Sequence, residues 1–190
     1  MEIIKEKDKY LEIKDKVRPL LVDGKKFPSQ VFSEEYRYFL FSEESVVTNR
    51  PFYDRLRNFL NKVGEKQFWV TVIESDPIEF YFKHYGYFAT FVFDENDTTD
   101  DYLKAMEDIP KECLADSIWS SADVFAAFSA SEEWIIYYDK QWEASIFAFK
   151  NDNYRQIFAD ICLPGLQYDP FRIPEFIIGR SKLWFLRQYG

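Results

Sequence analysis

Residues 67–74, Gln-Phe-Trp-Val-Thr-Val-Ile-Glu, read as a strand that is apolar on both sides. Strand side chains alternate between faces, so Phe68, Val70 and Val72 take one face and Trp69 and Ile73 the other. Such a strand has no side to offer water, so it must lie inside a sheet that is covered above and below. Tyr87–Phe93 repeats the pattern. A chain of 190 residues can supply the cover without disulfide or metal staples, because a domain of this size buries roughly 70% of the surface its unfolded form exposes. The aromatic residues, 20 Phe, 13 Tyr and 5 Trp, are core material for it, with tyrosine hydroxyls reaching the surface.

The covering elements are predicted from periodicity and punctuation. Asn49 suits an N-cap and Pro51 a first turn; Phe52, Leu56, Phe59, Leu60 and Val63 recur at helical spacing, and Gly64 can close the helix. Asp76, Pro77 and Glu79 open a short helix that Gly86 ends. The connection from 75 to 86 is near the minimum for a parallel crossover, so the relative direction of its two flanking strands stays open. Thr98 with Asp101 caps a helix whose inward positions are Tyr102, Ala105, Met106 and Ile109, and which Pro110 stops. Val124, Ala127 and Phe128 share one stripe of a further helix expected over 120–131. Trp134–Tyr138 and Glu143–Phe149, joined by Asp139-Lys-Gln-Trp142, form a β-hairpin, because the turn is too short for a parallel return. Asn151 or Asp152 opens a helix through Tyr154, Ile157, Phe158 and Ile161 that Pro164-Gly165 ends. Tyr10-Leu-Glu-Ile13 suits a helix or a strand, as does Tyr36–Phe41, and 171–190 has no decisive pattern. The expected architecture is a single α+β domain spanning 1–190, with a central, largely antiparallel or mixed sheet packed against several helices.

Motifs for chemistry are sparse. The six glycines stand too far apart for any phosphate-binding loop. One histidine, His84, and two distant cysteines, Cys113 and Cys162, make no zinc spacing. No nucleophile elbow is present, and His84 reads as a helix-terminal residue. Asp94-Glu-Asn-Asp97 departs from the EF-hand pattern at Thr99 and Ala105. The expectation is therefore no catalytic residue, no metal and no cofactor. The two cysteines read as buried thiols of a reducing compartment. With no apolar stretch of about 18 residues and no apolar leader after Met1, a cytoplasmic location is expected.

Charge is the most informative functional feature. The chain carries −9 overall, but residues 1–93 hold 15 acids and 15 bases, whereas 94–143 hold 14 acids and 3 bases. An excess of this sign disfavours nucleic acid and anionic membranes and attracts a basic protein. Asp94, Glu95, Asp97, Asp100 and Asp101 are the expected steering acids, and Tyr102, Trp119 and Trp142 the candidate aromatic anchors beside them. As surface residues, Asp97, Asp100 and Asp101 should tolerate reversal to Lys with little change in stability.

Residues 131–147, Ser-Glu-Glu-Trp-Ile-Ile-Tyr-Tyr-Asp-Lys-Gln-Trp-Glu-Ala-Ser-Ile-Phe, follow the Ala/Phe-rich stretch expected as a helix. Over about 120–149 this succession of a helix, a Trp-led strand, a charged turn and a second strand opening on Glu resembles units of small acidic bacterial immunity proteins that neutralise toxins. The resemblance implies a non-enzymatic binding protein that blocks a basic toxin domain, and it assigns no catalytic residue. The rival readings are an enzyme or small-ligand binder with an aromatic-lined cleft, which would show a deep pocket with converging polar groups, and an oligomerisation module built on the aromatic tail.

Overall fold

The computed structural model describes residues 1–43, 50–109, 117–163 and 189. Along the chain run β1 (Glu2–Ile3), α1 (Lys7–Val17), a 3-10 turn (Arg18–Leu20), β2 (Tyr38–Glu43), α2 (Arg50–Val63) and β3 (Gln67–Glu74). A π-helical turn (Pro77–Phe82) then runs into α3 (Lys83–Tyr85). β4 (Thr90–Asp94), α4 (Thr99–Met106), α5 (Ile118–Ser121), β5 (Val124–Ser129), β6 (Trp134–Asp139), β7 (Ala144–Phe149) and α6 (Asp152–Cys162) follow.

All seven strands join one sheet in the order β1-β4-β3-β5-β6-β7-β2, and every neighbouring pair is antiparallel. The α+β architecture is thus as expected, and the direction left open between β3 and β4 is antiparallel. The period-2 alternation sorts the strand residues into two cores. Phe68, Val70, Phe125, Ala127, Trp134 and Ile136 face the layer formed by α2, α4 and α6. Trp69, Ala126, Phe128, Ile135, Tyr137 and Ile146 face α1, the segment 27–36 and Tyr189. Every residue of β5, β6 and β7 is buried. At roughly 1.5–3 kcal/mol for each large apolar side chain fully buried, these two interfaces dominate the energetics of the fold.

The hairpin forms as expected, with Trp134 opposite Phe149 and Asp139 opposite Ala144. Glu143 sits in its turn at φ +47. The caps at Asp76, Thr98 and Asn151 are all present: Asp76 accepts the N–H groups of Ile78 and Glu79, Thr98 and Asp101 cap reciprocally, and Asn151 accepts that of Tyr154. α2 buries Phe52, Leu56, Phe59 and Leu60, and ends at Gly64 with φ +79. Tyr10-Leu-Glu-Ile13 is helical, within α1, and the ambiguous 36–41 run is a strand from Tyr38 onward, within β2. The Asn49 cap, Pro110, Cys113, the Pro164-Gly165 stop and the tail through 188 lie outside the described residues.

The expected helix over 120–131, which is also the helical part of the resemblance, is corrected. Only Ile118–Ser121 is helical, and 124–129 is the central strand β5. Ala126 and Ala127 favour a helix in isolation. Here they allow both core layers to approach a strand buried on both faces, and tertiary context overrides propensity. Ile109 is a second correction: its spacing predicts a place on the inward face of its helix, but α4 stops at Met106, and Ile109 stands 59% exposed.

Among the described residues, one fully buried side-chain polar atom is left unsatisfied. Tyr53 on α2 is enclosed, its ring stacked on Tyr102 at 4.7 Å and edge-on to Phe93 at 5.9 Å. Its hydroxyl has no hydrogen-bond partner among the described residues. A buried hydroxyl without a partner costs on the order of 1–3 kcal/mol. Tyr53→Phe keeps the ring and removes that cost, and it is expected to raise stability by about 1 kcal/mol in urea or thermal unfolding. A loss of stability would mean that the hydroxyl has a partner in solution.

Candidate functional site

The sheet divides the acidic segment. Strand register puts Asp94, Gln67, Ser129, Trp134 and Phe149 at one end of the sheet and Glu74, Val124, Asp139 and Ala144 at the other. Asp94–Asp101 and the Glu132–Glu133 turn therefore lie at the first end. Asp123, Asp139 and Glu143 lie at the second, a strand length of roughly 17–20 Å away. The negative charge that is contiguous in sequence is two groups in space.

At the first end, most of the predicted steering acids have local partners. Asp97 is 6% exposed, accepts the Asp94 N–H at 2.8 Å and pairs with the Met1 amino group. Asp101 accepts from Thr98 N–H at 2.8 Å and from its hydroxyl at 2.7 Å, and these bonds hold its carboxyl below the usual range. Asp100 pairs with Arg50, and Glu95 with Lys66 at 3.5 Å. Asp94 is exposed and accepts the Asn96 N–H at 2.7 Å.

The aromatic anchors are placed differently from expectation. Tyr102 is 2% exposed and packs between Tyr53 and Phe93, so it belongs to the core. α4 spends its apolar stripe on the sheet, and a ring on that stripe cannot also face solvent. Trp142 is half-buried in the hairpin turn at the opposite end of the sheet, its ring edge-on to Phe27 at 5.5 Å. The side chain of Trp119 lies outside the described residues. The predicted acids and anchors therefore do not form one face.

What α4 does present is an open depression of about 470 Å³ lined by Arg50, Asp100, Leu103, Lys104, Glu107 and Ile109, with Asp108 beside it. Glu107 and Asp108 have no ion-pair partner among the described residues. Asp108 accepts the Tyr87 hydroxyl.

A second concavity was missed from sequence. A cleft of about 510 Å³ opens between α1, the 21–26 loop, the end of β3 and the start of the π-helical turn. Tyr10, Lys14, Arg18, Lys25, Lys26 and Glu74 are among its lining residues. At its mouth Lys26 pairs with Glu74 at 2.7 Å, and the Ser75 hydroxyl donates to Asp123 at 2.9 Å. Asp139 is buried nearby. Burial foremost, and then Glu74, pushes its carboxyl up, against the N–H groups of Trp142 and Gln141 and the Lys26 charge. The sequence signal was present in Lys14, Arg18, Lys25 and Lys26, but the balanced charge of residues 1–93 concealed it.

The thiol of Cys162 is buried and pushed far up by desolvation, while His84 is exposed against the Phe80 ring at 5.1 Å. This arrangement does not activate the thiol. No group of three or more His, Cys, Asp or Glu suited to a metal occurs among the described residues, and none of their helices is long and apolar enough to cross a membrane. Comparison with protein-family models, with curated proteins and with solved structures yields no significant match.

The acids at the first end now separate by role. Asp97→Lys is expected to lower stability by about 3 kcal/mol or more, because it removes a buried acceptor and buries an unpaired cation. Asp100→Lys should change it by about 0.5 kcal/mol or less. Asp101→Lys, which breaks the cap, should fall between them. Urea unfolding of the three variants checks the order, and equal stabilities would contradict the assignment.

Proposed function

We propose that this chain is a non-enzymatic binding protein that receives a basic protein segment on the exposed depression beside α4. The observation that carries the reading is Ile109, the most exposed of the large apolar side chains described, standing beside Asp100, Glu107 and Asp108. An apolar anchor surrounded by carboxylates fits a partner that offers lysines or arginines around an apolar side chain. The overall charge of −9 would speed such an encounter.

Neutralisation of a basic toxin is the form of this function that the resemblance over 120–149 supports. The hairpin that carries the resemblance is itself buried, with Trp134 and Ile135 wholly enclosed. The resemblance thus bears on the scaffold, and the partner surface has to come from elsewhere on the molecule. Inhibition by surface masking needs no catalytic group, which agrees with the absence of catalytic motifs in the sequence.

A basic amphipathic peptide of alternating Lys and Leu is a suitable probe, followed by amide chemical shifts. Shifts centred on Asp100–Ile109 and Arg50 are expected, with affinity falling as salt rises. Ile109→Ser should weaken binding by about tenfold or more, as removal of a central anchor does. Shifts spread equally over both ends of the sheet, with no effect of Ile109→Ser, would show only general attraction to an acidic protein and would overturn the proposal.

A further inference from the structure

The cleft beneath α1 combines features that the partner-binding reading does not use. Its apolar lining includes Val17, Val31, Ile73 and Pro77, and its volume of about 510 Å³ lies in the range of small-molecule sites. Tyr10 lines it and is 3% exposed, yet its hydroxyl makes no hydrogen bond among the described residues. One face of its ring is covered by Phe88, stacked at 4.6 Å, so the ring is fixed and the hydroxyl group has a set position. Burial, together with the Asp76 charge, pushes that hydroxyl up to about 12, and it remains a donor at any ordinary pH.

The charged groups around this donor are unequally paired. Glu74 is engaged by Lys26, and Asp76 is engaged by the N–H groups of Ile78 and Glu79. Lys14, Arg18 and Lys25 have no carboxylate within ion-pair distance among the described residues. Asp15, Asp23 and Asp76 are the acids of the lining without an ion pair, equal in number to these cations. Lys14 also suits the C-terminal end of the α1 dipole. Arg18 is the C-cap of that helix and shares its end, whereas Lys25 lies beyond it, where the dipole does not account for it.

We propose that this cleft is a binding site for a small amphipathic anion, a molecule with one carboxylate or phosphate head on an apolar body. The head would accept hydrogen bonds from the Tyr10 hydroxyl and the Arg18 guanidinium beside Lys14 and Lys25, and the apolar body would cover the apolar lining. This site is distinct from the α4 depression and does not rest on it.

The test uses the full chain and three eight-carbon probes: octanoate, octyl phosphate and octylammonium. Calorimetry should give saturable one-site binding of at least one of the two anions, and the tighter of them identifies the head group. Octylammonium should bind at least about tenfold more weakly, since only its charge differs in kind. Arg18→Gln with Lys25→Gln, both exposed positions, should weaken the anion about tenfold while leaving the unfolding curve in place. Tyr10→Phe, which preserves the stack on Phe88, should weaken it several-fold with the fold intact. Amide shifts on binding should fall in 17–26 and 71–74. Absence of saturable binding by either anion, equal binding of octylammonium, or unchanged affinity in these folded variants would each overturn the proposal.

Discussion

Burial of the sheet on both faces governs the rest of this structure. A strand such as β3 or β5, apolar on alternate sides, cannot end a layer, so the chain must supply two covers. α2, α4 and α6 form one, and α1 with the 27–36 segment forms the other. Everything that could interact with a partner is thereby pushed to the sheet ends and helix backs. The same condition explains the aromatic richness. Phe and Tyr fill two interlayer spaces, and pairs such as Phe68–Phe93 and Phe125–Tyr138 stack along the strands at about 5 Å.

Much of this frame was legible because it rests on local signals. Caps at Asp76, Thr98 and Asn151, the helical stripe of α2, the two-sided pattern of β3 and the short turn of the β6–β7 hairpin each follow from a few neighbouring residues. Residues 124–129 were not legible in this way. Val-Phe-Ala-Ala-Phe-Ser is apolar throughout, and a short apolar run has no period that separates strand from helix. Only the neighbours β3 and β6 decide it, and they are distant in sequence. Ile109 failed for a related reason: helical spacing places it inward only if the helix extends that far.

The candidate sites show the same division. Net charge by segment is a one-dimensional quantity, and an antiparallel sheet returns the chain to alternate ends every few residues. The acids of 94–143 therefore separate, and Asp97 turns inward to a structural pairing while Glu107 remains exposed. The cleft under α1 could not be read from segment averages, because its cations are offset by acids elsewhere in the first half of the chain. Tyr10 gave no sign at all, since its significance lies in a hydroxyl that packing leaves unpartnered.

The most direct test of the two-cover account is native-state hydrogen exchange along the central strands. With both faces covered and hydrogen-bonded neighbours on both sides, amides of β5 and β6 should exchange only through global unfolding, with protection matching the full unfolding free energy. The two-residue edge strand β1 should exchange by smaller openings. If amides of 124–129 exchange as readily as those of β1, the segment is not the buried centre of the sheet, and the division of charge between its two ends falls with it.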